Sequence, residues 1–323
     1  MFNWKDRNVF VTGANGFLGS WLVSDLVKKG ANVTCLIRDA VKNSNLESLG
    51  VSDRINAVYG TVEDYHIVER AMNEFETELC FHLAAQAIVG TANKSPISTF
   101  ETNIKGTWNV LEACRQLGTK RAIVASSDKA YGEHEKLPYK EEFCLNGLTP
   151  YEASKSCTDI LARTYAKTYG LSIAVTRCGN IYGGGDLSWS RIIPGTIRSV
   201  LNNERPIIRS DGTLVRDYIY IFDVVNAYIT IAEQLDRKEV SGEAFNLGTK
   251  TPISVLELVK KITLLTQKKL EPKILNEAKN EIQVQYLDWT KAKRILGWEP
   301  KHNLDEGLKE TLQWYRDFFS KHK

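Results

Sequence analysis

The stretch Asn8-Val9-Phe10-Val11-Thr12-Gly13-Ala14-Asn15-Gly16-Phe17-Leu18-Gly19 reads as an apolar strand, a glycine turn and the opening of a helix. Glycines three apart in that setting permit a tight turn, close approach of backbone to a pyrophosphate, and tight packing of helix on strand. The helix start adds free N–H groups and partial positive charge for the phosphates. A glycine turn with no ligand is the plain alternative, but the strand-turn-helix context favours a dinucleotide.

Working outward, further apolar strands are expected at Val33–Ile37, Ile55–Tyr59, Leu79–Leu83, Ala122–Ala125 and Ser172–Thr176, with helix-length segments between them. That alternation predicts an α/β fold with a Rossmann-like, doubly wound parallel sheet. After about Gly179 the rhythm loosens into Gly183-Gly184-Gly185, a helix expected from about Ile192 to Asn202, and prolines at 194, 206, 252 and 272. This second part reads as a smaller, discontinuous substrate-binding lobe. The expected division is a NAD(P)-binding domain of residues 1–178 plus about 206–240, and a lobe of 179–205 and about 241–323.

Composition removes several classes of function. Lys and Arg number 42 against 39 Asp and Glu, scattered along the chain, so no dense basic face points to a nucleic acid. No apolar run approaches the ~20 residues that span a bilayer. The start, Met1-Phe2-Asn3-Trp4-Lys5-Asp6, lacks the regions of a secretory signal, and six cysteines lie far apart. A cytoplasmic protein with reduced, structural thiols is expected. His66, His134, His302 and His322 are dispersed among polar neighbours, so no metal site is expected, and His82 ends an apolar strand as a packed residue.

Two further stretches bear on chemistry. Arg38-Asp39 follows the second strand, where an adenosine ribose would lie. Arg38 could pair with a 2′-phosphate and favour NADP, Asp39 could accept from a free 2′-hydroxyl and favour NAD, and a solvated loop arginine is the third option. The match of guanidinium to phosphate tips the expectation towards NADP. Tyr151-Glu152-Ala153-Ser154-Lys155, after Pro150, opens a helix whose positions four apart share a face. An ammonium beside the tyrosine hydroxyl would lower its pKa and let it take a proton from a substrate alcohol. Such pairs are common on helix surfaces. Ser126-Ser127, closing a strand that should abut the dinucleotide, sets this one apart.

Together these elements resemble the extended short-chain dehydrogenase/reductase superfamily, particularly its nucleotide-sugar epimerases and dehydratases. The resemblance spans the chain through His82-Leu83-Ala84-Ala85-Gln86, Asn103-Ile104-Lys105-Gly106-Thr107, Arg177-Cys178-Gly179-Asn180-Ile181-Tyr182-Gly183, Arg216-Asp217-Tyr218-Ile219 and Leu296-Gly297-Trp298-Glu299-Pro300. It implies a dinucleotide site drawn from Gly13, Asn15, Gly16, Phe17, Leu18, Gly19, Thr61, Val62, Leu83, Ala84, Ala85 and Asn103. In that reading Ser127 hydrogen-bonds the reacting sugar hydroxyl, Tyr151 is the base, and Lys155 holds the nicotinamide ribose. Gln86, Asn180, Arg191 and Arg216 would face the sugar nucleotide, with an ordinary Arg216–Asp217 ion pair as the alternative. Thr61 departs from the aspartate that the family usually offers adenine.

The subclass turns on Ser127-Asp128-Lys129-Ala130-Tyr131-Gly132. An epimerase oxidises C4, rotates the keto-sugar and returns the hydride. A 4,6-dehydratase must also remove the C5 proton and protonate the departing C6 hydroxyl, which asks for two ionisable groups beside the sugar. Asp128-Lys129 looks like the Asp-Lys pair of CDP-glucose 4,6-dehydratases, with Asp128 as general acid and Lys129 assisting at C5. A local ion pair without a chemical role is the alternative. Gly183-Gly184-Gly185-Asp186 and Arg191-Ile192-Ile193-Pro194 are also similar to that subfamily. The expected activity is therefore 4,6-dehydration of an NDP-hexose, CDP-glucose first, with UDP-, TDP- and GDP-hexoses open. A C4 epimerase or 4-keto reductase is the enzymatic rival, and a non-catalytic NADP-sensing protein the rival of another class. The resemblance also implies a homodimer, formed by helices from about Ile97 to Leu117 and Tyr151 to Thr168. Leu111, Cys114, Leu161 and Tyr165 would suit that interface or a monomer core.

Overall fold

Residues 2–41, 44–277 and 281–321 are described by a computed structural model; Met1 and His322 lie outside them. The strands are β1 (Asn8–Thr12), β2 (Asn32–Ile37), β3 (Asn56–Tyr59), β4 (Leu79–His82), β5 (Arg121–Ala125), β6 (Ser172–Cys178) and β7 (Asn180–Tyr182). They continue with β8 (Ile207–Ile208), β9 (Val215–Arg216), β10 (Tyr218–Tyr220), β11 (Ala244–Leu247), β12 (Ile253–Ser254), β13 (Lys273–Ile274) and β14 (Val284–Gln285). The longer helices are α1 (Phe17–Lys28), α2 (Tyr65–Glu74), α3 (Gly106–Leu117), α4 (Pro150–Tyr169), α5 (Ile192–Leu201), α6 (Ile221–Gln234), α7 (Val255–Leu265) and α8 (Leu304–Lys321).

Seven strands form one parallel sheet in the order β11-β6-β5-β4-β1-β2-β3. The order reverses between β1 and β4, and the crevice outside their carboxyl ends is where such sheets bind ligands. Apolar side chains alternate to two cores. One buries Leu22 and Leu26 of α1 with Val224 and Tyr228 of α6, and the other buries Val68 of α2, Val110 of α3 and Ala162 of α4. The lobe is built differently, from the small sheets β12-β9-β14 and β13-β8.

Two boundaries need correcting. Ala244–Leu247, expected in the lobe, is the outermost strand of the main sheet, paired in parallel with β6. Residues 207–208 and 215–216, expected in the main body, pair instead with β13, and with β12 and β14, respectively. Segments so short carry no readable alternation, so pairing and not pattern decides their place. In the expected dimer helix, residues 101–105 form a π-helical turn ahead of α3. Leu111 and Cys114 are fully buried in the single-chain core and face no partner. No helix among the described residues is long and apolar enough to cross a membrane.

Candidate active site

The glycine turn is fixed by contact as well as by conformation. Gly13 sits at φ +71°, and a Cβ there would lie 2.7 Å from the Ala84 nitrogen. A Cβ on Gly19 would collide with the Gly13 carbonyl oxygen, so helix and turn close only without side chains. Gly16 caps α1 with no side-chain hydrogen bond, which leaves first-turn N–H groups for an anion.

From the turn, one cavity runs along the β2 and β3 ends, lined by Gly13, Asn15, Gly16, Arg38, Asp39, Thr61, Val62, Glu63, Ala84 and Ala85. A second, of about 690 Å³, runs the other way past Phe17, Leu18, Gly19 and Leu83 to Ser127, Asp128, Lys129, Tyr151 and Lys155. Asn180 and Arg191 close its far side and also line a third cavity, into the lobe, with Arg216. The expected residues are thus gathered along one channel, apart from two. Asn103 binds the Gln86 backbone on both sides, at 2.7 and 3.2 Å, and donates to Ser154, while Gln86 accepts from Ile88 N–H at 3.1 Å. Both brace the loop after β4 from behind and do not line the cavities.

A dinucleotide fits the channel on the structure's own terms. The glycine cradle has no room for a Cβ, and two buried side-chain oxygens beside it, Asn15 Oδ1 and Glu63 Oε2, lack a hydrogen-bond partner. Thr61 is spent locally, its hydroxyl accepting from Glu63 N–H at 3.1 Å. Glu63, two residues on, is the carboxylate that lines this end, a residue that no motif in the sequence marks. Arg38 and Asp39 bind each other at 2.7 Å, both more than half exposed.

At the chemical end α4 is tightly started. Glu152 reaches back to accept from the Thr149 N–H at 3.1 Å and Pro150 occupies the first turn, which places Tyr151 and Lys155 on the inward face. Burial pushes the Tyr151 hydroxyl up to about 12, and a hydrogen bond with Ser127 and the charge of Arg191 only partly offset this. Lys155 makes no hydrogen bond with Tyr151 in this structure. Its Nζ donates to the Ala125 carbonyl at 2.7 Å, and burial brings it down to about 8. Ser127 donates to Asp128 Oδ1 at 3.0 Å.

Of the pair, the aspartate is enclosed and the lysine half-buried, at the junction of the second and third cavities. Asp128 is buried, and desolvation raises its pKa against the pull of Lys129. Desolvation likewise lowers Lys129 against the pull of Asp128. Moving a proton from ammonium to carboxylate turns a buried ion pair into a neutral acid beside a neutral base, the state that low dielectric favours. Lys129 Nζ donates to Gln285 Oε1, and Gln285 Nε2 donates to the Asp128 carbonyl at 2.9 Å. The loop also leans on a buried network in which Arg177 binds Asp159 at 2.7 and 2.9 Å and Tyr131 Oη at 2.7 Å.

The two arginines expected at the substrate are engaged. Arg191 donates to Asp186 at 2.6 Å and to the Ile181 carbonyl at 2.9 Å. Arg216 pairs with Glu281 at 3.2 Å, and not with Asp217, whose carboxylate accepts from Thr249 N–H at 2.9 Å. Arg209, unremarked in the sequence, lines both the second and third cavities.

Comparison with known proteins agrees with this geometry. The family described as "GDP-mannose 4,6 dehydratase" matches residues 10–311. CDP-glucose 4,6-dehydratase of Salmonella typhimurium is 32% identical, covering 97% of this chain and 91% of its own. UDP-glucuronate 4-epimerase of Thermodesulfobacterium geofontis is also 32% identical, covering 95% of each. Among solved structures, UDP-glucose 4-epimerase of Thermotoga maritima with UDP-glucose superposes with a TM-score of 0.89 at 32% identity, covering 97% and 99% of the two chains. The dTDP-glucose 4,6-dehydratase of Bacillus anthracis with NAD gives 0.84 at 27% identity, covering 96% and 97%. The chain therefore belongs to the GDP-mannose 4,6-dehydratase family, among the extended short-chain dehydrogenases that act on nucleotide sugars as dehydratases or epimerases.

Proposed function

We propose that this member is a nucleotide-sugar 4,6-dehydratase. The observation that carries the reading is the pair of buried Asp128 and half-buried Lys129, lining the same cavity as Tyr151, Ser127 and Lys155. Dehydratase and epimerase relatives are equally similar in sequence, so the choice rests on those side chains. A bound nicotinamide dinucleotide supplies the hydride acceptor, and later donor, that the sugar needs. Tyr151 takes the O4 proton, with Ser127 holding that oxygen. The step needs Tyr151 as phenolate, which burial disfavours, so C4 oxidation should rise with pH as its proton is lost to solvent. Lys129, held towards its neutral form by burial, takes the C5 proton that the 4-ketone makes acidic. Asp128, held towards its neutral acid, gives its proton to the departing C6 hydroxyl.

CDP-glucose is the first substrate to try, by likeness to the Salmonella relative. Incubation with CDP-, UDP-, TDP- and GDP-hexoses in deuterated buffer should yield one 4-keto-6-deoxy product with deuterium at C5. A C4-epimerised sugar without deuterium at C5 would make the chain an epimerase instead.

At the adenosine ribose, the charges favour NAD over the NADP expected from Arg38 alone. A 2′-phosphate beside Arg38 would also meet the Asp39 carboxylate that Arg38 already holds. The Bacillus relative was solved in complex with NAD. We also propose a homodimer through Ile97, Trp108 and Ile160, which are 77%, 42% and 55% exposed beside α3 and α4. Sedimentation of the wild type should give twice the protomer mass, and a monomer would dismiss this interface.

A further inference from the structure

Gln285 is wholly buried, the last residue of β14, and in register with Arg216 of β9. Its carboxamide is used at both ends. Oε1 accepts from Lys129 Nζ, and Nε2 donates to the Asp128 carbonyl at 2.9 Å. It lines none of the three cavities described above; it stands behind the pair, and through it a lobe strand grips both members, one by its side chain and the other by its backbone.

We propose that Gln285 is a positioning residue for Lys129, whose neutral amide aims the amine into the cavity without adding the negative charge that would keep it protonated. The use of Lys129 as the C5 base rests on the dehydratase reading, whereas the link between the two side chains does not. The charged groups facing Lys129 are Asp128 on its own turn, Glu152 of α4, Glu281 ahead of β14 and Arg216 of β9. The three carboxylates favour the ammonium, and burial and Arg216 oppose it. Glu281 is already paired with Arg216 at 3.2 Å. A carboxylate in the place of the Gln285 amide would sit in direct contact with Nζ where water is scarce, and would decide the balance for the ammonium. An amide oxygen favours the ammonium far less, yet satisfies the same N–H.

The test uses two near-isosteric replacements and two readouts. Lysines carrying 13C-methyl groups are followed by NMR from neutral to alkaline pH, with Lys129→Met identifying the resonance. Gln285→Glu should raise the Lys129 midpoint by about one pH unit or more, a tenfold change in proton affinity, and Gln285→Leu should lower it. A midpoint unmoved in Gln285→Glu overturns the proposal and leaves the dehydratase reading standing. In turnover, Gln285→Glu should shift the acidic limb of the kcat profile to higher pH, with activity recovering in alkali. A uniform loss at every pH would mark Gln285 as merely structural and also overturn the proposal. If the wild type eliminates water from no nucleotide sugar, the dehydratase reading falls, and with it the role of Gln285 in that reaction.

Discussion

The turn after β1 and the lobe strand β14 each hold one wall of the channel, but by opposite means. The turn works by having nothing to spare: Gly13, following a five-residue strand of the seven-stranded sheet, and Gly19, in the first turn of α1, are set by backbone contacts. The wall at β14 is a two-residue strand whose grip on the site is a single carboxamide. Steric rules govern the first and polar satisfaction governs the second. The first should therefore tolerate almost no change in shape, and the second almost no change in charge.

The largest expected effect lies where the two walls meet. Asp128→Asn and Lys129→Met should each cut elimination by roughly 10²- to 10⁴-fold, the usual worth of a positioned acid or base. Dinucleotide affinity, followed by fluorescence titration, should stay within about twofold in both, because the glycine turn does not depend on the pair. Loss of dinucleotide binding would show that the two walls are one unit and dissolve the contrast. Wild-type turnover would remove both residues from the chemistry.

His82 shows the same desolvation at work inside the sheet, where it affects stability and not catalysis. Burial between Thr12 and Thr107, with the charge of Lys155, lowers its pKa to about 3. The folded protein keeps the ring neutral, while the unfolded chain takes a proton below about pH 6.5. This depressed pKa thus leaves stability intact above pH 6.5 and erodes it as pH falls from there towards 3. The slope approaches about 1.4 kcal/mol per pH unit for the one proton. Urea midpoints between pH 7 and pH 4 should fall less steeply in His82→Gln than in the wild type; parallel slopes would mean that other groups take up the acid.

What sequence could read follows the same division. β1, β2 and β4, α1 and the opening of α4 announce themselves because long apolar strands, spaced glycines and a proline at a helix start are local signals. Ala244–Leu247 and the two-residue strands escape, since only pairing with distant chain defines them. Of the site, most residues that touch the channel are legible through their motifs, Glu63 and Arg209 being the exceptions. Those that act from behind are not: Asn103 and Gln86 are marked by their motifs but not as the mutual hydrogen bonds they make, and Gln285, 156 residues from Lys129, carries no local mark. Lys155 shows the limit of spacing, which places its backbone on the inward face but does not tell that its Nζ donates to the Ala125 carbonyl.

The smallest effect belongs at the rim, where neither wall controls the outcome. Arg38 and Asp39 are 66% and 61% exposed at the side chain, so their pairing with each other contributes little. Their weight lies in the charge they present to the ribose. With Asp39 intact, a 2′-phosphate gains from Arg38 about what it loses to the carboxylate, while a free 2′-hydroxyl finds an acceptor. Wild type should therefore bind NAD ahead of NADP. Asp39→Asn removes a repulsion worth about 1 kcal/mol at 4 Å in water, and should improve NADP by roughly fivefold while NAD weakens slightly. Arg38→Ala should do the reverse and leave NADP weaker still. If NADP already wins in the wild type and Asp39→Asn changes neither affinity, Arg38 answers the phosphate alone, and the rim then selects its ligand by charge as strictly as the glycine turn does by shape.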